Sequence, residues 1–499
     1  MMSTRALVLL LATAAAAIPL TASAQDNETG RNVLTYHGDP ARSGNFMVPG
    51  LTWDKAMSIH PDEAFHARVS GNVYAQPLYW DAGGSGSGML LVVTEENKVH
   101  ALDAANGSEI WTRELGRPVS RSALRCGNIN PLGITGTPVI DESSEALFLD
   151  AAVEEAGVHH RIFALSLKDG ATLPGWPIDV AEALRTKGLA FNARDQNERG
   201  ALTILEGMLY VPYGGHFGDC GDYHGWVVGV PLRQPKNVKA WSTRARGGGI
   251  WAPGGISIAG SSLLVATGNT FGASTWSDGE AVIRLAPDLQ RSNNKRDFFA
   301  PTDWHRLDQS DLDLGGSNPL PFDIPGGRDA LVMALGKDGR AYLLDRNNLG
   351  GIGGNLAVEV VSQQPIRTAP AVYPVGGDVF VALQARGPRC LEHGSERTTD
   401  LVVLKVSGGS RPSLSTAWCG AVRGGGSPIV TTTDGRSNPI VWMVGAEGDN
   451  RLHGFRGDTG APLPKADLAM TGLRHFQTLI AARDRLYVGA DGRVYAFAF

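Results

Sequence analysis

Short apolar runs separated by glycine, asparagine and aspartate occur along most of the chain. One stretch, MLLVVTEENKVHALDAANGSEIW from Met89 to Trp111, joins two such runs through a polar turn. β-Branched and aromatic residues at this spacing are typical of buried strands, and glycine in the turns adopts a positive φ at little cost. The pattern predicts strands joined by hairpins and shows no helical bias.

This unit recurs about eight times, at a spacing of roughly 40–60 residues, which is typical of a β-propeller. The copies are Tyr74–Trp111, Thr135–Trp176, Arg199–Val230, Trp251–Gln290, Asn318–Gly351, Arg367–Val406, Gly425–Gly460 and Thr478–Phe499. We therefore expect an all-β, eight-bladed propeller with four-stranded blades. The last copy contains only three plausible strands, so Asn32–Tyr36 is predicted to supply the outer strand that closes the ring. A seven-bladed ring, a β-solenoid and two β-sandwiches are the alternatives.

The N-terminus has the features of an export signal. Arg5 precedes an apolar stretch that ends at Leu20, and Ala22-Ser23-Ala24 forms a small-residue cleavage site. We predict a signal peptide over residues 1–24, a short linker over 25–31 and one propeller domain over 32–499. The mature protein would then be periplasmic or secreted. A membrane anchor is the alternative, but the apolar stretch is short for a span of about 20 residues.

Charge and hydropathy argue against two classes of partner. The net charge is −5 and 19% of residues are charged, without a long run of lysine or arginine. This balance provides no electrostatic surface for nucleic acid. No later segment is long and apolar enough to span a bilayer.

The chain has four cysteines, and an exported protein can form disulfides. Of the three possible pairings, we predict Cys390–Cys419, because these two residues bracket one repeat, together with Cys126–Cys220. The chain contains no Cys-x-x-Cys-His motif, so no covalent haem is expected.

The phrase Ala-Leu-Asp-x-x-x-Gly-x-x-x-Trp at residues 101–111 resembles the repeat of pyrroloquinoline quinone (PQQ) proteins. Tyr36-His37-Gly38-Asp39, followed by Arg42-Ser43-Gly44, is similar to the N-terminal phrase of that family. The similarity extends over nearly the whole mature chain. The family includes quinoprotein alcohol dehydrogenases, which hold PQQ and calcium, and also non-catalytic propellers of the outer-membrane assembly machinery.

Two stretches carry the residues that the resemblance assigns to a cofactor site. In GGGIWAPGGISIAGSSLLVATGNT, residues 247–270, Trp251 matches the aromatic floor under the quinone and Asn269 matches a calcium ligand. In GKDGRAYLLDRNNLGG, residues 336–351, Lys337 matches the cation that reaches the quinone carbonyls. An aromatic plane suits a flat cofactor, and an amide oxygen suits calcium. Alternatively, Trp251 is a packing residue and Asn269 a turn residue.

Carboxylates complete the implied site. Asp311 or Asp313 would act as the base on the substrate hydroxyl, with Asp311 preferred and also counted as a calcium ligand. The carboxylate ligand of calcium is Asp219 or Asp222 by repeat order, or Glu155 by similarity to a Glu-Leu-Gly-Val phrase. A solvated acidic loop is the alternative for the first pair.

The chain departs from the dehydrogenases at the segment 126–131. Where the family has two adjacent cysteines above the quinone, this chain has Cys126 and Gly127, so no vicinal disulfide can form. Pro131 stands where an arginine is expected, and Asn130 beside it is the remaining cofactor-binding candidate.

Four histidines in polar loops could suggest a transition metal. They are His159, His160, His216 and His224. We interpret them as ordinary loop residues, because pairs of histidines near acidic residues are a weak metal signal.

Together with the export signal, the resemblance implies an exported PQQ- and calcium-dependent dehydrogenase. It would oxidise an alcohol or polyol and pass electrons to a separate acceptor. The alternative is a non-catalytic propeller that binds a protein or glycan partner, which the missing cysteine pair favours.

Overall fold

The computed structural model describes residues 32–83, 88–327, 329–388, 390, 399–409, 411–463 and 468–499. Eight sheets form an eight-bladed β-propeller, which confirms the predicted fold class. The predicted signal peptide, residues 1–24, and the linker, residues 25–31, lie outside the described residues. No helix among the described residues is long and apolar enough to span a membrane.

Blades 1 to 4 follow one another along the chain. In order along the chain, their strands are Leu78–Trp80, Met89–Val93, Lys98–Asp103 and Glu109–Glu114 in blade 1; Val139–Asp141, Ala146–Glu154, Val158–Ser166 and Ile178–Asp179 in blade 2; Gln196–Asn197, Thr203–Leu205, Met208–Gly215, Trp226–Pro231 and Lys239–Ser242 in blade 3; and Ser257–Ala259, Ser262–Thr267, Ala281–Leu285 and Phe298–Ala300, extended by Gly351–Ile352, in blade 4.

Blades 5 to 8 complete the ring. Their strands are Leu320–Asp323, Ala330–Leu335, Arg340–Asp345 and Ala357–Val360 in blade 5; Ala371–Val375, Asp378–Gln384, Leu401–Ser407 and Ser413–Gly420 in blade 6; Ile429–Thr432, Ile440–Val444 and Leu452–Arg456, with Asn45–Met47, in blade 7; and Leu479–Ala482, Arg485–Ala490 and Arg493–Ala498, with His60–Pro61 and Ala67–Arg68, in blade 8.

The helices are short and lie in the connections. The α-helices are Trp53–Ala56, Val180–Arg185 and Trp304–Gln309, and the 3₁₀-helices are Tyr36–Gly38, Arg121–Ala123, Glu142–Ser144, Lys295–Asp297 and Leu314–Gly316.

An N-terminal strand closes the ring, but it is not the predicted one. His60–Pro61 and Ala67–Arg68 pair with the last strand of the chain, Arg493–Ala498, on its outer side. Asn32–Tyr36, predicted for this place, instead reaches the first strand of blade 1, where Val33 and Tyr79 exchange backbone hydrogen bonds. The N–H and C=O groups of an inner edge strand need partners just as those of an outer edge do, and the apolar pattern does not distinguish the two edges.

The segment 32–47 crosses the centre of the ring and is held there by buried polar groups. The Arg42 guanidinium is fully buried and donates to the backbone carbonyls of Leu202 and Ile256, next to the inner strands of blades 3 and 4. On the opposite side, Phe46 aligns in parallel with Thr431 of blade 7. The N-terminal segment therefore connects inner strands from several blades.

Apolar side chains fill the space between neighbouring blades. Separate clusters lie between blades 1 and 2, 2 and 3, 3 and 4, 4 and 5, 5 and 6, and 6 and 7, and one larger cluster joins blades 7, 8 and 1. Burial of both sheet faces explains why many strands read as continuous apolar runs.

The tryptophan that ends a repeat packs on the glycine turn of the next blade. The Trp418 indole Nε1 donates to the carbonyl of Gly457 at 3.0 Å, and a Cβ at Gly460 would lie 2.7 Å from the Trp418 ring. Trp111 makes the same contact between blades 1 and 2, with the carbonyl of Leu167 and the turn at Gly170. The spacing of the repeated phrase therefore reflects blade-to-blade docking.

We expect Gly460→Ala to destabilise the ring more than Gly207→Ala. Both glycines have φ +74°, but a Cβ at Gly207 meets nothing within 4 Å. Left-handed strain costs each variant about 1–2 kcal/mol, and overpacking against Trp418 adds about 1–3 kcal/mol to Gly460→Ala alone. Urea unfolding of the two variants measures the difference. Equal losses would show that the tryptophan contact does not constrain the turn.

Candidate functional site

A cavity of about 800 Å³ opens on one face of the ring. Its walls come from the connections between blades and from the hairpins that join second and third strands. Trp251 and Asp313 belong to connections, and Lys337 and Asp219 belong to hairpins. Residues far apart in sequence therefore meet because each blade delivers a loop to the same face.

The carboxylate of Asp313 is the centre of a hydrogen-bond network. Its Oδ2 accepts from the Trp251 indole Nε1 at 3.0 Å and lies 2.8 Å from the Lys337 Nζ, and its Oδ1 accepts from the Asn269 backbone N–H at 3.0 Å. Asp313 is almost fully buried. One carboxylate therefore fixes the positions of three loops from blades 4 and 5 relative to one another.

Lys337 lies between two carboxylates and beside an aromatic ring. Its Nζ is 2.7 Å from Asp311 Oδ1 and 5.2 Å from the centroid of the Trp251 ring. Burial alone would lower the pKa of Lys337, but the charges and hydrogen bonds of Asp313 and Asp311 outweigh it and raise the pKa. The side chain is therefore a fixed cation in the cavity. Asp311, in contrast, is 65% exposed in its side chain.

Other acidic groups crowd this end of the cavity. Burial, followed by the charge of Asp313, raises the pKa of Asp219 and holds that of Glu280 well above its usual range. Asp219 accepts from the Tyr223 hydroxyl at 2.6 Å, whereas Glu280 Oε1 is buried without a partner among the described residues. Carboxylates outnumber the single lysine here, so the local charge favours a cation.

The donor chemistry at this end of the cavity matches calcium in type and charge. Calcium prefers carboxylate and amide oxygens, which Asp219, Asp313 and the Asn269 side chain carry. Within the described ranges, no group of three or more histidine, cysteine, aspartate or glutamate residues could hold a metal as arranged. The residues therefore match calcium in donor type and charge only.

Two loops that form one wall of the cavity are joined by a disulfide. Both predicted pairings, Cys126–Cys220 and Cys390–Cys419, are confirmed. The first links the connection before blade 2 to the blade 3 hairpin, which carries Asp219 and the 72% exposed Phe217. Two disulfides are typical of a protein from an oxidising compartment.

Three solved structures that match this chain are named as dehydrogenases. The quinohemoprotein alcohol dehydrogenase of Comamonas testosteroni matches with a TM-score of 0.66 and 15% identity, covering 94% of this chain and 80% of that one. The quinohemoprotein alcohol dehydrogenase ADHIIG of Pseudomonas putida HK5 matches with a TM-score of 0.66 and 12% identity over the same shares. A europium-containing methanol dehydrogenase matches with a TM-score of 0.64 and 14% identity, covering 95% of this chain and 99% of that one.

This chain has the PQQ-type β-propeller fold. At these identities the likeness establishes the fold alone. No protein-family model matches the chain, and no curated protein sequence matches it.

The PQQ-type propeller brings together most of the residues singled out in the sequence. Trp251, Lys337, Asp311, Asp313 and Asp219 line the cavity. Asn269 is buried next to them through its contact with Asp313.

Three other candidates lie elsewhere. Glu155 is at the tip of the blade 2 hairpin, where both carboxylate oxygens accept from Arg161 at 2.6 and 2.7 Å. Asn130 is exposed and caps the backbone N–H of Arg121, while Asn128 lines the cavity instead. Asp222 borders a separate groove beside blade 3.

The four histidines have separate protein partners. His159 contacts Asp179 at 2.7 Å and His160 contacts Asp150 at 2.7 Å, whereas His216 and His224 each contact a backbone carbonyl. His216 and His224 lie in a loop, as interpreted, but the placement of His159 and His160 in a loop is wrong, because both lie in the blade 2 strand Val158–Ser166.

The sequence patterns did not indicate several of the residues in and around the cavity. Arg199, Arg367 and Arg423 line the cavity, and Glu95 and Glu280 are buried carboxylates near it. The arginines each precede the inner strand of a blade, as Trp251 does. This shared position, just before the inner strand of a blade, is the feature of the sequence that could have indicated them.

We expect Glu95→Gln to stabilise the protein increasingly as pH rises. Burial raises the pKa of Glu95 to about 7 from 4.5, although Gly133 N–H and the Thr135 hydroxyl donate to its oxygens. Between these values the unfolded chain releases a proton that the folded chain keeps, so wild-type stability falls as pH rises. The isosteric amide avoids this loss, worth about 3 kcal/mol by pH 8.

Unfolding curves of wild type and Glu95→Gln at pH 4, 6 and 8 test this expectation. Glu155→Gln is the control, because its hydrogen bonds with Arg161 lower the pKa of Glu155 and its substitution provides no gain at high pH. A constant difference between Glu95→Gln and wild type at every pH would contradict the expectation.

Proposed function

We propose that this protein is an exported dehydrogenase that oxidises an alcohol or polyol with PQQ and calcium. The observation that supports this most is the convergence of Trp251, Lys337, Asp311 and Asp313 on one cavity in a PQQ-type propeller. Solved structures with this fold are named as alcohol and methanol dehydrogenases.

Trp251 would provide the floor for the quinone. Its indole N–H donates to Asp313, which restricts the orientation of the ring, and the residue lines the cavity. A fixed aromatic plane binds a flat ring system by stacking. When bound, PQQ would supply two-electron oxidation and calcium would supply positive charge beside it.

Lys337 would stabilise negative charge that develops beside Trp251. The raised pKa of Lys337 keeps the ammonium protonated, and Asp311 and Asp313 hold it in place. A preorganised cation lowers the energy of a transition state in which negative charge forms next to it.

Asp311 is the better placed of the two candidate bases. Its carboxylate faces the cavity with Lys337 as its ion-pair partner, so an oxygen is available to accept a hydroxyl proton. Asp313 already accepts from Trp251 and Asn269 as well as contacting Lys337. We therefore assign proton abstraction to Asp311 and positioning to Asp313.

Calcium is proposed on donor type and charge. Asp219, Asp313 and Asn269 carry the oxygen atoms at this end of the cavity that would bind the ion. A divalent cation would also neutralise part of the excess of carboxylates over cations.

Export, a periplasmic or secreted location and a separate electron acceptor belong to the same proposal. The confirmed disulfides support an oxidising compartment.

Reconstitution tests the proposed function directly. Purified protein is incubated with PQQ at several calcium concentrations, and bound quinone is measured by co-elution and absorbance. Dye reduction is then followed with a panel of alcohols and polyols. Absence of bound quinone at every calcium concentration would overturn the proposal and leave the binding-propeller alternative.

We expect Asp311→Asn to reduce turnover by about 10²–10⁴-fold, because a general base is lost, while bound quinone stays unchanged. Asp323→Asn is the matched control, because Asp323 is 67% exposed and ion-paired with Arg346 at 2.6 Å but lies outside the cavity lining. Steady-state dye reduction and quinone co-elution provide the two measurements. Equal turnover of the two variants would exclude Asp311 as the base.

A further inference from the structure

The cavity has a second end with the opposite charge. Arg199, Arg367 and Arg423 line it together with His475 and Phe476, from the connections before blades 3, 6, 7 and 8. Arg199 comes from the blade 3 side, yet its guanidinium carbon lies 4.7 Å from the Phe476 ring centroid. It therefore reaches towards the blade 8 side of the cavity.

These arginines have no ion pair within the part of the chain that the structure describes. The nearby carboxylates already have other partners. Glu447 contacts His475 at 2.9 Å, Asp400 contacts Arg386 at 3.1 Å, and Glu95 accepts from Gly133 and Thr135. Lys337 at the other end, in contrast, contacts two carboxylates.

Arg199 and Arg367 place like charges on the same part of the cavity wall. Arg199 is half-buried, and burial lowers its pKa. The charge of Arg367 acts in the same direction, whereas those of Tyr74, Glu95 and Glu447 oppose it. A half-buried guanidinium group and an exposed one on the same cavity wall are both stabilised when an anion accepts hydrogen bonds from them. The Phe476 ring restricts Arg199 by a cation–π contact and so orients its donors.

We propose that Arg199 and Arg367 form a carboxylate-binding site at this end of the cavity. This deepens the proposed function and rests on it for the reacting alcohol, because the substrate would then be a hydroxy acid rather than a neutral polyol. Guanidinium groups pair with carboxylates in a bidentate geometry that a neutral hydroxyl cannot match. The carboxylate could also belong to PQQ itself, which is a polycarboxylic acid.

Calorimetric titration of the full-length protein without quinone tests the site. Gluconate is the anionic probe, and sorbitol is the neutral polyol of the same carbon number. We expect gluconate to bind at least about tenfold more tightly than sorbitol, and Arg199→Gln and Arg367→Gln each to weaken gluconate by at least about tenfold. High salt should weaken gluconate and leave sorbitol unchanged.

Arg436→Gln is the matched control, because Arg436 is exposed in the turn between the first two strands of blade 7, on the opposite face from the cavity. It should leave gluconate binding unchanged. Because Arg367 is exposed, its variant remains informative if Arg199→Gln folds poorly, and thermal unfolding checks both.

A parallel titration with PQQ and calcium separates the two sources of carboxylate. Weaker gluconate binding in both arginine variants supports a substrate site. If wild type does not bind gluconate and both arginine variants bind PQQ more weakly, the site binds a carboxylate of the quinone instead. If neither gluconate nor PQQ binding changes in the arginine variants, the proposal is wrong. Because the gluconate titration contains no quinone, failure of the oxidation proposal leaves its result interpretable.

Discussion

The cavity depends on the buried carboxylate of Asp313. It joins the Trp251 indole, the Asn269 backbone and the Lys337 ammonium, which come from three separate loops. A buried carboxylate is costly unless its oxygens are satisfied by donors or a cation. This requirement ties the loops together, because displacing any one of them leaves charge or a polar group unpaired in a partly dry environment.

The closed ring of blades brings these loops close to one another. Each blade begins its inner strand at the same face, so the residues just before these strands, such as Trp251, Arg199 and Arg367, all face a common space. The blades are kept in place by apolar interfaces and by contacts such as Trp418 on the turn at Gly460. The scaffold is therefore rigid through packing, whereas the polar character of the cavity is set by one or two residues per loop.

The cavity is electrically divided. Asp219, Asp311, Asp313 and Glu280 crowd around one lysine, while Arg199 and Arg367 lie at the other end without carboxylate partners in the described chain. Protein groups alone do not neutralise the charge at either end. A ligand that presents a cation to the first end and an anion to the second would relieve both.

The sequence by itself determined the repeat, the strands and the number of blades, because strand patterning and glycine turns are local properties that recur with each copy. It also indicated Trp251, Lys337, Asp311 and both disulfides. Only the tertiary structure decided that His60–Pro61 and Ala67–Arg68 close the ring while Val33 reaches an inner strand, since both edges offer the same hydrogen bonds. It also decided that Glu155 pairs with Arg161 away from the cavity and that Arg199 faces Phe476. These placements depend on which loops the closed ring brings together, and no local pattern in the chain encodes that proximity.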